Sequence, residues 1–378
     1  MKISCAFDSG AIEVLSLEDP SNIRLRLRSD NAADFHQWFH FRLMGAAGKP
    51  VRMVFENAAS AAYPEGWPDY RCVASYDRQN WFRIATTRYE DGALIVEHTP
   101  ERDTLYYAYF EPYSHERHLD LLGRVEQPPY AQVRNLGSTV EGRDLDLIEV
   151  GRPSPRRVPL WIIARQHPGE TMAEWFVEGL LERLLDGADA VARKVREHAV
   201  LYIVPNMNPD GAVRGNLRTN AAGCNLNRAW REPDAATSPE VLRVRSEMER
   251  TGCELFLDIH GDESLPYVFF STAEEVPGYG AEALEAQARF IECFAAVSPD
   301  FQTHEGYKPG RFADELLTLA SKWVAHRFGC VSLTLEMPFK DNANLPDGHV
   351  GWNGARSKRL GAAMLNPILR HLEAGRAG

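Results

Sequence analysis

Along the first part of the chain, apolar residues come in short alternating or aromatic runs, at 38–43, 51–55, 93–97 and 105–110. A period of two is the mark of a β-strand with one buried face. In the first run Phe39, Phe41 and Leu43 share one face while His40 and Arg42 share the other, which predicts a half-buried strand. No amphipathic helix of ten or more residues is predicted ahead of residue 115. Strands without helices predict an antiparallel β-sandwich.

Beyond about residue 145 the period changes. Continuous apolar runs at 158–163, 199–204, 255–259 and 331–335 read as buried strands. Between them, 172–185 places Met172, Phe176, Val177, Leu180, Leu181 and Leu184 on one helical stripe, Ser238-Pro239 opens a second helix, and 281–296 forms a third. Strands separated by helices predict an α/β domain with a mixed, mostly parallel sheet covered by helices. Gln127-Pro128-Pro129 is the expected joint, because paired prolines stop regular structure from running through. The predicted division is a sandwich at 1–126 and an α/β domain at 127–378, and 378 residues is long for one core.

Composition adds exclusions. With 44% hydrophobic and 25% charged residues the chain reads as an ordinary soluble globular protein. Forty-two Lys and Arg against 53 Asp and Glu give a net charge of −11 with no basic stripe, so nucleic acid and anionic membrane are not expected partners. The N-terminus meets a charge before any apolar signal region forms, and the longest apolar run, 158–164, is far short of the ~20 residues a membrane helix needs. A cytoplasmic location is expected. The six cysteines are scattered without a Cys-x-x-Cys, so they read as reduced packing residues. No Walker loop, complete Gly-x-Gly-x-x-Gly or Gly-x-Ser-x-Gly elbow occurs.

Candidate chemistry sits at the ends of the buried strands, where α/β sheets place their clefts. His167-Pro168-Gly169-Glu170 follows the 158–163 strand and opens the next helix, so an imidazole and a carboxylate share one tight turn. His260 ends the 255–259 strand. Two His and one Glu are an attested zinc set with a fourth position left for water. Glu336 ends a further apolar strand and is the expected general base, accepting the water's proton and passing it to a leaving amine. Taken singly each residue has a bland reading, as a capping Glu or a hydrogen-bonded His. Four of them at the exits of separate strands are hard to explain that way.

Between the ligands runs a turn-rich loop with Asn206-Met207-Asn208-Pro209-Asp210-Gly211, Arg214, Arg218 and Asn225-Leu226-Asn227-Arg228. Arg grips carboxylates with paired hydrogen bonds, so this loop is suited either to anchor a substrate carboxylate or to polarise a scissile carbonyl. Asn-Pro-Asp-Gly is also a good turn on its own.

In this order the motifs resemble those of the zinc metallocarboxypeptidases. His167-Pro168-Gly169-Glu170-Thr171, Asn225-Leu226-Asn227-Arg228 and Thr334-Leu335-Glu336-Met337-Pro338-Phe339 are most similar to the cytosolic carboxypeptidase branch, which carries an N-terminal β-sandwich. Trp38-Phe39-His40-Phe41-Arg42 and Tyr109-Phe110-Glu111-Pro112-Tyr113 resemble motifs of that extra domain. The resemblance implies hydrolysis at the C-terminal residue of a peptide or protein tail, or of a side-chain-linked glutamate. It implies one Zn²⁺ on His167, Glu170 and His260, and Glu336 as base. It also implies Arg218 at the oxyanion, Asn227 and Arg228 on the terminal carboxylate, and Tyr307 as candidate capping tyrosine. Asn225 departs from the branch's frequent Asp, removing one possible partner for the arginines. Lys308, Arg311 and Lys322 are the cations near enough in sequence to select an acidic side chain, and each is expected to be solvated.

Two rivals remain. A deacylase of N-acyl amino acids would use the same metal and base, and a non-catalytic tail-binding protein would be marked by loss of a ligand or base, neither of which is missing.

Overall fold

The computed structural model describes residues 1–377. Two five-stranded sheets form the N-terminal domain. One orders the strands Lys2–Ser4, His40–Met44, Thr104–Ala108, Val73–Ser75 and Phe82–Arg83; the other orders Glu13–Ser16, Ile23–Arg26, Val51–Phe55, Ala93–His98 and Arg88–Glu90. All pairings are antiparallel except that of Ile23–Arg26 with Val51–Phe55. Rings bridge the sheets, with Phe39 and Phe41 of the first lying 4.8 and 6.3 Å from Phe55 of the second. The predicted polar face of the 38–43 strand is not solvated. His40 is buried and bonds Ser9 Oγ at 3.0 Å, because the N-terminal segment and Trp81 cover that side.

A seven-stranded mixed sheet forms the second domain, in the order Ala131–Ser138, Asp144–Val150, Ala199–Val204, Val158–Ala164, Leu255–Ile259, Val331–Glu336 and Phe269–Ser271. The four strands from Ala199–Val204 to Val331–Glu336 run parallel, and the flanking pairings are antiparallel. Burial explains their composition: every residue of Ala199–Val204, Leu255–Ile259 and Val331–Glu336 is buried, as expected of strands covered on both faces.

Register fixes the site. Ala164 pairs with Ile259 and Ile259 with Leu335, so the residues leaving three adjacent strands emerge at one level. Behind this edge the Met172–Leu184 helix is clamped to the Gly354–Ala363 helix through two glycines. A Cβ on Gly179 would lie 2.0 Å from Lys358 O, and one on Gly361 would lie 2.0 Å from Phe176 O. Only glycine permits that approach.

The two domains share one buried apolar cluster. Tyr109 of the first stacks on Phe339 of the second with centroids 4.7 Å apart, and the buried Arg83 guanidinium donates to Phe339 O at 2.8 Å and Trp352 O at 2.9 Å. The Phe339 to Trp352 stretch that follows the Glu336 strand is thereby held by the sandwich. Among the described residues no helix is long and apolar enough to cross a membrane, and the six cysteines are unpaired.

Candidate active site

At the exit of the Val158–Ala164 strand, Arg165 takes a left-handed backbone conformation, φ +57°. Its side chain compensates the strain by donating to Pro168 O at 2.9 Å, Tyr113 O at 3.0 Å and Glu174 Oε2 at 2.7 Å. The turn carrying His167 and Glu170 is thus held from beneath by a buried ion pair.

His260 meets that turn. Its Nδ1 lies 2.7 Å from Glu170 Oε2 and 3.2 Å from His167 Nδ1, and His167 Nδ1 lies 2.6 Å from Glu170 Oε1. All three side chains are buried, and their ligand atoms lie within 4.8 Å of one another. The opposite ring nitrogens are occupied. His167 Nε2 faces Asn225 Oδ1 at 3.1 Å, and His260 Nε2 lies 2.9 Å from Asp258 Oδ1. With a proton on each Nε2, both Nδ1 atoms turn lone pairs to the centre, as a metal requires.

The electrostatics of the three groups favour positive charge at the centre. Burial pulls His167 down to about 3, away from a proton of its own. At His260 burial also disfavours charge, yet the Asp258 and Glu170 carboxylates outweigh it and favour positive charge there. Glu170 is shifted down: burial alone would raise it, but His167 and His260 reverse the sign. Two imidazoles and a carboxylate, ringed by further acids, fit a divalent cation.

Glu336 ends its strand in the same cleft, buried, with Oε1 accepting from the Tyr307 hydroxyl at 3.0 Å and Oε2 unpaired. Burial and then the neighbouring Glu170 and Asp262 push its carboxyl well up, against the opposing pull of His260. A raised carboxyl is a stronger base than a free one, the direction that general-base work requires.

The cleft is about 160 Å³, and of the residues singled out from sequence His167, Glu170, His260, Glu336, Arg218, Asn227, Arg228 and Tyr307 line it. Of the three loop arginines, Arg214 leaves the cleft and pairs with Glu141. Arg228 pairs with Glu315 and donates to Asn227 O at 2.9 Å. Asn227 Oδ1 accepts from Ala320 N at 2.9 Å, which fixes the amide plane. Asn225 serves His167 and caps the Leu226–Arg228 turn, so Asn in place of the branch's Asp concerns the His167 imidazole more than the arginines.

Lys322 overturns the expectation of a solvated charge. It is 4% exposed, it lines the cleft, and its Nζ bonds Thr272 O and lies 3.2 Å from Ser271 Oγ. Burial lowers its ammonium to about 8. Arg311 is exposed, although its guanidinium lies over the Tyr307 ring at 4.2 Å, and Lys308 is exposed.

Sequence reading missed the residues behind the ligands. Asp258, two positions before His260 and so on the same side of its strand, is held by Gln166 Nε2 at 2.8 Å, and Gln166 Oε1 accepts from Trp230 Nε1 at 2.8 Å. A carboxylate inside Leu255-Phe256-Leu257-Asp258-Ile259 was the available signal. Asp262, whose Oδ2 accepts from Tyr307 at 2.8 Å, and Tyr63, which the sandwich contributes to the cleft, carried none.

Fold and site together define a metal-dependent hydrolase with its centre at the carboxyl edge of a mixed α/β sheet. The sequence model of the cytosolic carboxypeptidase N-terminal domain matches residues 3–110, and that of the zinc carboxypeptidases matches residues 122–350. The chain belongs to the zinc carboxypeptidase family and is a peptidase. A metallo-carboxypeptidase structure from Burkholderia cenocepacia is 55% identical over 99% of each chain, with TM-score 0.96. A metallo-carboxypeptidase from Pseudomonas aeruginosa, solved with (2-guanidinoethylmercapto)succinic acid, is 45% identical over 98% of this chain and all of that one, with TM-score 0.94. Cytosolic carboxypeptidase 1 of Xenopus laevis is 27% identical over 71% of this chain, which spans only 26% of that relative's length.

Proposed function

We propose that the chain is a zinc-dependent carboxypeptidase that hydrolyses the bond to the C-terminal residue of a peptide or protein tail, using one zinc held by His167, Glu170 and His260. The observation that carries this reading is the convergence of both Nδ1 atoms and the Glu170 carboxylate beside a buried, half-unpaired Glu336. Zinc in such a set supplies a Lewis acid that lowers the pKa of bound water towards ~7 and polarises a carbonyl. Glu336 takes the proton of the attacking water and delivers it to the departing amine. The Arg218 guanidinium supports the oxygen that gains negative charge, while Arg228 and the Asn227 amide hold the terminal carboxylate. Tyr307 orients Glu336 and covers the bound residue. Residues 127–378 form the catalytic domain in this reading and 1–126 the sandwich. The relatives named cytosolic carboxypeptidases are the ground for placing it in the cytoplasm.

Lys322 favours an acidic terminal side chain, peptide-linked or side-chain-linked glutamate included, because a buried ammonium in a small cleft is stabilised by a carboxylate. A peptide panel differing only in the last residue, with N-acyl amino acids alongside, tests this by mass spectrometry. Cleavage of C-terminal glutamate ahead of alanine or arginine supports it. The arginine arm matters because the ligand solved with the Pseudomonas relative carries a guanidine. Turnover of N-acyl amino acids alone indicates a deacylase, and zinc-loaded protein with no turnover of any substrate indicates a binding protein.

A further inference from the structure

Arg218 stands in the cleft with an unusual lack of support. Among the described residues its guanidinium makes no hydrogen bond and no salt bridge, although Glu263 and Glu170 share the cavity. An ion pair would position it, but would also neutralise the charge it needs for an incoming oxygen. Something else has to fix it.

That support comes from the sandwich. Asp30, buried in the N-terminal domain, spends its carboxylate on the backbone around Arg218. Oδ1 accepts from Leu217 N at 2.6 Å, and Oδ2 accepts from Arg218 N at 3.0 Å, Thr219 N at 2.8 Å and Thr219 Oγ1 at 2.8 Å. Three consecutive amides converging on one carboxylate set the backbone at 217–219, and so the direction in which Arg218 leaves the chain. The Asp30 loop is itself closed by Asp30 N donating to Phe35 O at 2.8 Å. Its flank is stitched to the same catalytic loop, with Asn216 Nδ2 donating to Asn31 Oδ1 and Asn31 Nδ2 to Ala221 O, both at 2.8 Å. Gly223 permits this approach: at φ +78° a Cβ there would lie 2.3 Å from Ala32 O. From the same domain, Phe35 and Tyr63 place rings 5.8 and 5.4 Å from the guanidinium, restricting it without consuming its donors.

We propose that Asp30 is a positioning residue for Arg218, and that the N-terminal sandwich serves catalysis by holding the Arg218 loop and its guanidinium in place. The proposal rests on the reading of Arg218 as the group that meets the developing negative charge. The sandwich is then part of the active site and not an appended binding module. Loss of the carboxylate frees the 217–219 backbone, and a guanidinium displaced by about 1 Å loses most of its effect on the transition state while substrate still binds through Arg228 and Asn227.

The test uses the full zinc-loaded chain and four variants: Asp30→Asn, Phe35→Leu, Arg218→Ala and the double variant Asp30→Asn with Arg218→Ala. Asp30→Asn is expected to lower kcat roughly 10- to 100-fold with KM changed less than about threefold and zinc content unchanged. Phe35→Leu, which leaves the Asp30 hydrogen bonds in place, is expected to lower kcat by a smaller factor. The double variant is expected to match Arg218→Ala alone, since a positioning residue has nothing left to position. Wild-type kcat in Asp30→Asn, a loss that multiplies with that of Arg218→Ala, or a loss that tracks missing zinc each overturns the proposal. If Asp30→Asn does not fold, Thr219→Val, which removes only the Thr219 Oγ1 bond to Asp30 Oδ2, and its double with Arg218→Ala decide by the same criteria. Wild-type kcat in Arg218→Ala instead refutes the role given to Arg218 itself.

Discussion

The Tyr307 hydroxyl lies between two carboxylates, 3.0 Å from Glu336 Oε1 and 2.8 Å from Asp262 Oδ2. One phenolic proton serves both acceptors, so Tyr307 links the expected base to an acid that the sequence did not mark. A hydrogen bond to a charged group contributes about 1.5–3 kcal/mol. Tyr307→Phe is therefore expected to lower kcat/KM about 10- to 100-fold, with zinc retained. Steady-state kinetics with metal analysis on the same preparation check it.

Asp258 and Asn225 hold the outer nitrogens of the two histidines, one as a carboxylate and one as a neutral amide. The carboxylate makes His260 the more basic imidazole. Asp258→Asn is expected to weaken zinc binding about 10- to 100-fold, the usual effect of losing such a partner. Competition with a chromophoric chelator measures the change, and an unaltered affinity would remove Asp258 from the metal's support.

What the chain discloses before folding follows from where the physics is local. The runs at 199–204 and 255–259 are readable because a strand covered on both faces must be apolar throughout, and the residues at such strand ends then stand out. His260, Glu170, His167 and Glu336 stand out as candidates for that reason. The helices His115–Val125 and Ala190–His198 were not: each buries few residues and leaves a largely charged surface. Lys322 was misjudged because its burial depends on Ser271 and Thr272, which reach it from the sheet edge. Asp30 lies far along the chain from Leu217 to Thr219, and no periodicity encodes a contact between two domains.

Lys322 gives the proposed acidic preference a pH signature. Burial holds its ammonium at about 8, so the charge proposed to attract a terminal glutamate is present below that pH and is lost above it. The ratio of kcat/KM for C-terminal glutamate to that for C-terminal alanine is expected to fall as pH rises from 7 to 9. Lys322→Met should abolish the preference at all pH values. A ratio independent of pH and of Lys322 would contradict the assignment.

His118 supplies a stability effect behind the His167–Glu170 turn, since it shares Glu174 with Arg165. It is buried between Glu174 Oε1 at 2.7 Å and Asp146 Oδ2 at 3.1 Å. Burial pulls its pKa down, but hydrogen bonds and charge from these acids outweigh it and raise it to about 9. The folded value lies above the unfolded value of about 6.5, so its stabilisation is complete below pH 6.5 and disappears as pH rises through 9. The shift corresponds to about 3 kcal/mol. The Tm difference between the wild type and His118→Gln should therefore narrow from pH 6 to pH 9.5, and a constant difference would show that His118 is not charged in the fold.

The most direct test of the account is anomalous diffraction at the zinc edge from crystals of the zinc-loaded protein. One strong peak is expected at about 2.0–2.2 Å from His167 Nδ1, a Glu170 oxygen and His260 Nδ1. A fully active protein whose only peak lies away from these three side chains would contradict it.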